Sequence, residues 1–469
     1  MIEKIIQIKK TYLILFLAFV IVTETLLVLM TGLELFEALI VSLIVIYSIL
    51  IIIDPLYSLI LVTIISFFIE GEYIQTFVLF KLFGFNWYLM DLAFIMSFIA
   101  ISYKYIMGEY RLKINSIVVW LIFFFVACLI GTYWGIKSGH PTQDVFFDLR
   151  CFFYYLMFIP SIFILNDFNN LKKLFIFILV LGTIKCTLDT FSSLYFLPKT
   201  FDDTTWQYLP FARLKGFNEV VYPLTLIASL SYFYFSKTLN TRLLLVPTIF
   251  FSFTALFLSY TRGSWLAAVI TISVGLFLLI YSKRLKIKIS SLILTIFFVV
   301  GILTLLSAID LIPEKFLLAR ATSVTLNKVD ISNFGRIVEY ATGFNEFLRS
   351  PILGAGLGFK FTYFSPGIGT ESTIYCHNSY LYVLTKMGII GIVPFLLLLF
   401  SALKITPKVL NSDLGEEEIG IAFSFIMMLF VLVVKSLTTW HLNTVTFSSF
   451  VGVLFGISII YKNKLKAIN

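Results

Sequence analysis

Charged residues are scarce in this 469-residue sequence, because they make up 13% of it while hydrophobic residues make up 59%. A water-soluble domain of this length would need more charge and would not tolerate 52 phenylalanines. Cysteine is rare too, with four residues, and these have no metal-ligand spacing. Three of the cysteines lie within or beside apolar runs, which argues against a disulfide framework.

Long apolar runs recur from end to end. Each is long enough, at roughly 18 residues or more, to cross about 30 Å of hydrocarbon as a helix, whereas a β-barrel would show alternating segments of about ten residues. Asp54-Pro55 alone separates the second run from the short third, so twelve or thirteen crossings also fit. The sequence predicts an all-α, polytopic transmembrane bundle of about 12–14 helices. The approximate segments are 12–31, 37–53, 56–69, 86–103, 116–134, 151–165, 172–190, 218–236, 243–259, 264–281, 289–309, 378–400, 419–437 and 445–461.

The basic residues of the connecting segments predict the orientation. With fourteen crossings, every basic cluster between segments falls on one side, which the positive-inside rule makes cytoplasmic. Both termini are then cytoplasmic, and the first segment is expected to be a retained helix because it lacks a small-residue cleavage site. The net charge of +9 therefore reflects topology and does not indicate nucleic-acid binding. The clusters include Lys9 and Lys10, Lys104 and Arg111, Lys172 and Lys173, Lys237 and Arg242, Lys283 and Arg284, and Lys462 and Lys464.

The pattern divides the chain into transmembrane helices over 1–309, a large extracytoplasmic loop over 310–377, and transmembrane helices over 378–469. Two shorter polar stretches on the same outer side cover about 135–149 and 191–216. Within the large loop, apolar residues at three- and four-residue spacing predict a helix from Asn333 to Arg349 with one apolar face. This helix could lie on the membrane or cap the bundle. The face comprises Phe334, Ile337, Val338, Ala341, Phe344 and Leu348.

The end of the loop combines a glycine-rich turn with a histidine. Gly354, Gly356 and Gly358 alternate, so the backbone there can turn sharply or approach a ligand closely. His377 and Asn378 then open the next membrane segment, where the Asn378 side chain is expected to cap the helix. The imidazole titrates near neutral pH and can take a proton from an attacking hydroxyl, which makes His377 a candidate general base; a structural capping role is the alternative.

The two other histidines receive structural interpretations. His140 stands in a hydrophilic outer stretch and is expected to be solvated. His441 follows Trp440 at an outer interface, where packing in an aromatic belt explains it. His377 is therefore the one histidine that the sequence assigns to chemistry.

Several basic residues lie on the predicted outer side, against the orientation rule. Arg262 stands in a short turn between two apolar runs with no acidic residue close in sequence. Arg150 and Arg336 lie on the same side, as do Arg213 and Lys215. Each could pair with a carboxylate or reach lipid phosphate. The guanidinium fork matches phosphate oxygens two at a time, so convergent arginines would suit a pyrophosphate.

Four motifs in this order resemble the O-antigen ligase/polymerase superfamily. They are TRGSW at 261–265, GR at 335–336 opening the loop helix, P-x-x-G-x-G-x-G from Pro351, and HNSYL-x-V-L-x-x-x-G-x-x-G from His377. The resemblance is best over about 213–400 and includes RLKGFNEVVYPL at 213–224. One departure is Asn218-Glu219, where relatives often have Asn-Pro-Asn, so no role is drawn from that site. Members are bacterial membrane glycosyltransferases that use undecaprenyl-diphosphate-linked glycans.

The resemblance implies an enzyme of the cytoplasmic (inner) membrane with its active site on the extracytoplasmic face. Arg262 and Arg336 would bind the donor diphosphate, and His377 would activate an acceptor hydroxyl of a glycan or lipid-glycan in an inverting displacement. We expect no cofactor and no metal, since Asp202-Asp203 is an isolated pair. Ligase and polymerase remain open, because both use the same donor chemistry. Further candidate substrate-binding residues are Arg150, Arg213, Lys215, Asn378 and Gly356.

A transporter or lipid flippase is the main alternative. Its charges would be expected near mid-membrane, and Lys185, Asp189 and Lys435 are the within-segment charges that support it. All three lie near predicted helix ends, where they could snorkel to the interface. A purely structural role is a third option. The remaining conspicuous charges collect at the outer edge beside the large loop, which favours an enzyme.

Overall fold

A computed structural model describes residues 47, 50, 51, 53–69, 78–82, 85–106, 114–196, 219–259, 261–284, 331–365 and 369–468. Several predictions fall outside these residues: the segments 12–31 and 289–309, most of 37–53, Arg213, Lys215, and the pair Asp202-Asp203.

The described residues form an all-α membrane bundle, which confirms the predicted fold class. Eight helices or helical runs are long and apolar enough to cross a membrane, and three apolar helices are shorter. Each matches one of the predicted segments from 56–69 onward. The helices of the first half are α1 (Leu56–Phe68), α2 (Leu89–Ile106), α3 (Ser116–Lys137), α4 (Thr142–Phe153), α5 (Phe158–Leu165), α6 (Phe168–Phe196) and α7 (Val221–Phe235). Those of the second half are α8 (Leu239–Leu258), α9 (Arg262–Tyr281), α10 (Ile331–Arg349), α11 (Ser379–Leu403), α12 (Thr406–Leu410), α13 (Glu416–Lys435) and α14 (Val445–Ile468).

Two small antiparallel hairpins and two 3-10 turns complete the described structure. Strands β1 (Val78–Leu82) and β2 (Phe85–Tyr88) pair before α2, and β3 (Phe361–Ser365) pairs with β4 (Gly369–Thr373) in the large loop. One 3-10 turn, Tyr154–Met157, joins α4 to α5 into a single membrane-length run. The other, His441–Asn443, precedes α14.

Helix α14 lies at the centre of the bundle. Nearly all of its side chains up to Tyr461 are buried against the neighbouring helices. By contrast, α3 and α9 each bury one face and leave large apolar side chains such as Leu129 and Phe277 exposed. Exposed apolar side chains on a membrane-length helix are the expected surface toward lipid.

The polar stretch at 135–149, which the sequence assigns to the outer side, is mostly helical. α3 continues to Lys137, and α4 begins at Thr142. The charged residues of α4 are accommodated because they find partners inside the protein: Asp148 is fully buried and hydrogen-bonded, and Arg150 is ion-paired with Asp91 at 3.5 Å. Satisfying buried charges in this way lets a polar sequence enter the bundle.

The loop helix predicted over 333–349 is confirmed, and α10 spans Ile331–Arg349. Its orientation is not the usual one, in which an amphipathic helix packs its apolar face against the protein. Gly335, Glu339 and Gly343 are buried against the protein, whereas Ile337 and Phe344 are exposed. The helix therefore docks through its glycines and glutamate and turns its apolar face outward.

The glycine-rich loop closes the space between α3 and α11. Gly354, Gly356 and Gly358 have φ values of +71°, +94° and +84°, a region that favours glycine. The backbone N–H of Gly356 donates to the Lys386 carbonyl oxygen at 3.0 Å, and a Cβ on Gly356 would lie 2.5 Å from Gly135 Cα. The loop is therefore built into the packing between the two helices.

Helix α11 is kinked where the loop meets it. Gly388 has φ 58° and ψ −155° inside the helix, which frees neighbouring backbone groups from the helical pattern. The N–H of Ile389 instead donates to the Pro351 carbonyl oxygen at 2.9 Å, and that of Ala355 donates to the Thr385 carbonyl oxygen at 2.8 Å. The kink thus exchanges helical hydrogen bonds for bonds to the glycine-rich loop.

Candidate active site

His377 lies between α10 and α11 and is gripped by Glu339. One Glu339 carboxylate oxygen accepts from the backbone N–H of His377 at 3.1 Å, and the other lies 2.9 Å from Nδ1 of its ring. Glu339 is 1% exposed, whereas the His377 side chain is 31% exposed. The buried partner and the accessible ring are arranged as an orienting group and a reactive group.

This contact selects one tautomer of the imidazole. An ionised carboxylate only accepts hydrogen bonds, so the proton of neutral His377 is on Nδ1, facing Glu339. Nε2 then carries the lone pair and can accept a proton. The Trp440 ring packs edge-on at 4.5 Å between ring centroids and limits rotation of the imidazole. This geometry would allow Nε2 of His377 to act as a base.

The backbone on both sides of His377 is fixed as well. The Tyr340 hydroxyl donates to the His377 carbonyl oxygen at 2.9 Å, and burial raises the pKa of Tyr340, so this donor stays protonated. The Asn378 side chain accepts from the backbone N–H groups of Tyr380 and Leu381, both at 3.0 Å. Asn378 is thus the helix cap that its position predicts.

Arg336 lies at the start of the face of α10 that contacts His377. It lies three residues before Glu339 and four before Tyr340, and these spacings put side chains on one helical face. Both of those residues contact His377. The half-buried Arg336 is therefore on the side of α10 that faces the histidine.

Arg262 is the first residue of α9, at an end that packs tightly against the chain following α13. A Cβ on Gly263 would lie 2.4 Å from the Thr438 hydroxyl oxygen and 3.3 Å from Lys435 Nζ. The Glu219 carboxylate accepts from the Thr261 hydroxyl and lies 3.4 Å from Lys435 Nζ. Arg262 thus stands at a helix N-terminus beside a buried ammonium, where the field favours an anion.

The residues after α13 join the surroundings of Arg262 to those of His377. Thr438 contacts Gly263, and two residues later Trp440 packs on His377. The backbone N–H of Ser379 also donates to the Ser436 carbonyl oxygen at 2.9 Å. The structure therefore brings the TRGSW and HNSYL motifs to one end of the bundle through a shared segment.

His441 lies beside this region and is held neutral. Burial, with a smaller contribution from the positive charge of Lys435, lowers the pKa of His441 to about 3. Its ring packs edge-on against Phe447, and a place in an aromatic belt at a membrane interface stays a prediction. Nε2 is shielded from solvent and has no hydrogen-bond partner within the described residues.

The remaining predicted residues have defined partners. Arg150 pairs with Asp91, donates to the Asn86 carbonyl oxygen at 2.9 Å, and stacks 5.0 Å from the centre of the Tyr88 ring. These contacts are the ones expected if Arg150 pairs with a carboxylate inside the protein, which was one alternative from the sequence. The backbone N–H of Gly356 is engaged with α11, as described above. A substrate-binding role for Arg150, Asn378 and Gly356 stays a prediction.

Three other sequence interpretations change. His140, expected to be solvated, has its Nε2 2.9 Å from the Ala355 carbonyl oxygen. Lys185 does not snorkel: it is buried within α6 and lies 2.5 Å from Asp189, which also accepts from the Tyr222 hydroxyl at 2.7 Å. Lys435 is likewise buried beside Glu219. Burying a charged side chain with a partner costs less free energy than burying it unpaired, which explains why both lysines can be buried.

Two sets of residues escaped the sequence reasoning. One feature of the sequence could have pointed to Glu339: it is a carboxylate one turn after Arg336 on a predicted helix. The second set is a buried ion pair in which Lys386 Nζ lies 2.6 Å from Asp148. The same carboxylate accepts from the Tyr382 hydroxyl at 2.5 Å and from the Gly358 N–H at 2.6 Å. This cluster ties α4 and α11 to the glycine-rich loop.

The described residues contain no group of three or more histidine, cysteine or carboxylate side chains that could hold a metal ion. Cys376, next to His377, is no candidate nucleophile, because burial raises the pKa of its thiol. Metal independence stays a prediction that needs an experiment.

Comparison with known proteins supports the interpretation of the motifs. Residues 247–396 match the family described as O-Antigen ligase. The matched range contains Arg262, Arg336, Glu339 and His377. No curated protein matches the chain significantly. Residues 247–396 are thus similar to the O-antigen ligase family, which supports the resemblance to the O-antigen ligase/polymerase superfamily.

Proposed function

We propose that this protein is a membrane glycosyltransferase that moves a glycan from an undecaprenyl-diphosphate-linked donor to an acceptor hydroxyl. The observation that carries the proposal is the contact between the buried Glu339 carboxylate and the accessible His377 ring, within an O-antigen ligase domain. Two arginines of the same domain, Arg262 and Arg336, supply the positive charge that a diphosphate requires.

The proposed reaction is a single displacement. The acceptor hydroxyl gives its proton to Nε2 of His377 as its oxygen attacks the anomeric carbon of the donor sugar. The bond between that carbon and the diphosphate oxygen breaks, and undecaprenyl diphosphate leaves with the bonding electrons. Because attack and departure occur on opposite faces, the configuration inverts. General base catalysis of this kind typically contributes about 10²- to 10⁴-fold in rate.

Glu339 supports this step through the other ring nitrogen. The carboxylate keeps Nδ1 protonated before the reaction and faces the imidazolium that forms when Nε2 takes the proton. Its second oxygen holds the backbone N–H of His377, so the ring has little freedom to turn. The arrangement has the logic of a base oriented by a third group.

The arginines act on the leaving group. Negative charge develops on the diphosphate oxygen as the glycosidic bond breaks, and a guanidinium can stabilise it with two parallel N–H donors. Arg336 lies on the face of α10 that carries Glu339 and Tyr340, and Arg262 stands at the start of α9 near a buried lysine. A donor diphosphate held between them would present its sugar to Nε2.

The energy of the reaction resides in the donor, so no nucleotide is required, and we propose that the transfer also proceeds without a metal ion. We place the site on the extracytoplasmic face of the bacterial cytoplasmic membrane, with both termini cytoplasmic, because the basic clusters collect at the opposite ends of the segments. The acceptor distinguishes a ligase, which transfers one finished glycan to a lipid-anchored core, from a polymerase, which extends another polyprenyl-linked glycan. The size distribution of the products separates the two.

The direct test is turnover by His377→Ala in purified, membrane-reconstituted protein. We expect normal insertion and loss of most transfer activity. Lys283→Ala is the matched control, because it removes a positive charge from the predicted cytoplasmic side and should leave turnover intact. Turnover by His377→Ala near that of the wild type would remove His377 from the mechanism.

A further inference from the structure

Helix α10 carries an apolar stripe that no part of the described bundle covers. Ile337, Phe344 and Leu348 are 62%, 49% and 56% exposed, and Ala341 between them is exposed too. Their spacing of three and four residues puts them on one narrow face of the helix. We call these four residues the outer stripe.

The opposite face of α10 is bound to the rest of the protein, so the helix cannot rotate to bury this stripe. Glu339 is bonded to His377, and the Gly343 carbonyl oxygen accepts from the Thr385 hydroxyl at 3.0 Å. A Cβ on Gly343 would lie 3.0 Å from the Phe361 ring, so the helix approaches its neighbours as closely as glycine allows. The outward orientation of the outer stripe is therefore fixed by the contacts of the active site.

The apolar surface continues from α10 onto a membrane-spanning helix. Ile352, just after α10, is 64% exposed, and its carbonyl oxygen accepts from the N–H of Ile390 at 3.3 Å. Next to this junction, α11 exposes Ile389 and then Val393, Leu396 and Phe400 at helical spacing. A stripe of this kind on a membrane-length helix faces lipid. The outer stripe thus extends the lipid-facing surface of α11.

We propose that α10 lies in the boundary between headgroups and acyl chains, with its outer stripe immersed in the bilayer. Interfacial helices of this type bury their apolar face about 5–10 Å into that boundary. Arg349, at the end of α10, is highly exposed and can reach lipid phosphate while its stem follows the apolar surface. The occupant of the face is the bilayer surface and not a protein partner.

The bilayer would then set the depth of the active site. The same helix presents Glu339 and Arg336 to the protein and the outer stripe to lipid, so these polar groups would lie near the level of the lipid phosphates. A diphosphate attached to a polyprenyl chain occupies that level. This consequence rests on the proposed function, whereas the immersion of the helix depends only on the bundle spanning a membrane.

The test measures the depth of nitroxide labels in reconstituted nanodiscs without substrate. Labels are attached to Phe344→Cys and, separately, to Leu348→Cys, and their collision rates with oxygen and with a water-soluble nickel chelate are compared. The control label is on Thr362→Cys, an exposed position of strand β3. The four native cysteines are buried, so labelled wild-type protein provides the background.

We expect both α10 labels to collide preferentially with oxygen and the Thr362→Cys label to collide preferentially with nickel. Two outcomes overturn the proposal: nickel accessibility on α10 equal to that of the control, or labels shielded from both agents by protein. Spin–spin broadening between molecules would identify a second copy as the cover and would equally overturn it. Donor turnover is measured separately, so failure of the proposed reaction leaves this result interpretable.

Discussion

Glu339 and His377 are separated by 38 residues, yet both carboxylate oxygens of Glu339 contact His377, one at its backbone N–H and one at Nδ1 of its ring. A carboxylate that is 1% exposed must be satisfied by its neighbours, and His377 supplies both the ring and the backbone donor. This mutual satisfaction explains why a charged residue is stable on the buried face of α10 and why the imidazole has a defined orientation.

Glu339→Gln tests the orienting role. The amide keeps the size of the side chain but removes the negative charge that faces the imidazolium, so we expect a loss of roughly tenfold or more in kcat. The acid limb of the pH–rate profile should move to lower pH, because the protonated ring loses its counterion. A purely structural residue would not produce that shift.

The matched control for this variant lies on the same helix. Glu346→Gln removes a carboxylate whose ion pair with Arg349 is on the surface, where such pairs contribute little. We expect its pH–rate profile to coincide with that of the wild type. A profile of Glu339→Gln that also coincides would contradict the orienting role.

Arg262→Lys separates geometry from charge. If Arg262 grips a diphosphate, lysine should fail, because an ammonium lacks the paired planar donors. Losing one such contact would cost roughly 2–4 kcal/mol of transition-state stabilisation, or about 30- to 1,000-fold in rate. Donor consumption is measured at matched expression, and wild-type activity in Arg262→Lys would leave the donor site unassigned.

His441 predicts a pH dependence of stability. Its pKa is about 3 in the folded protein, below the ordinary value of about 6.5 expected when unfolded, so the unfolded state binds more protons between these values. Stability is therefore lost as pH falls below about 6.5, by up to about 1.4 kcal/mol per pH unit from this group. Thermal unfolding at pH 7 and pH 5 should show a smaller decrease for His441→Phe than for the wild type; equal decreases would contradict the buried, neutral state.

Arg262 and His377 stand out as candidates in the sequence because their residue types contrast with their surroundings. Arg262 lies in a short turn between apolar runs, and His377 stands where a polar loop becomes a helix. Glu339 could not be found in the same way, since its role depends on which face of α10 meets α11. Asp148 and Lys386 were missed for the same reason: their pairing joins segments that are 238 residues apart.

The glycine-rich loop shows how an element can be conspicuous in sequence while its structural partners are not evident from it. Alternating glycines suggested close approach to a ligand, and close approach is what the structure shows, but the partners are α3 and α11. Gly356 and Gly135 meet backbone to backbone. The alternating glycines predict that another group approaches the backbone closely, but they do not identify that group.

Gly356→Ala should therefore damage the fold. Its Cβ would lie 2.5 Å from Gly135 Cα, and its φ of +94° is strained for alanine, so we expect a loss of several kcal/mol and poor recovery of folded protein. Gly139→Ala is the matched control, because Gly139 has a φ of +82° but no atom within 4 Å of the added carbon. Thermal midpoints in detergent compare them, and equal midpoints would contradict a packing role for the loop.

Helix α10 illustrates a second limit of sequence reasoning. Its existence and its end at Arg349 follow from periodicity and from Pro351, but its orientation does not. In water an apolar face turns toward the protein, whereas beside a bilayer it has an equally apolar alternative. The periodic pattern is the same in both cases, so only the packing of Gly335, Glu339 and Gly343 decides.

For the molecule as a whole, hydropathy predicted the described bundle well. Length and composition alone locate membrane helices because hydrocarbon demands continuous internal hydrogen bonding. The boundaries shifted where polar residues found internal partners, as in α4. The orientation of the bundle and the division at 309 and 377 stay predictions, since they depend on the membrane itself.

The most direct measurement is donor consumption by the purified protein in nanodiscs, with a polyprenyl-diphosphate glycan and an acceptor as the only additions. We predict release of polyprenyl diphosphate and formation of a new glycosidic product without nucleotide and in the presence of EDTA. Glycan that crosses the bilayer with its diphosphate linkage intact, or turnover that requires a nucleotide or a metal ion, would contradict the proposed enzyme.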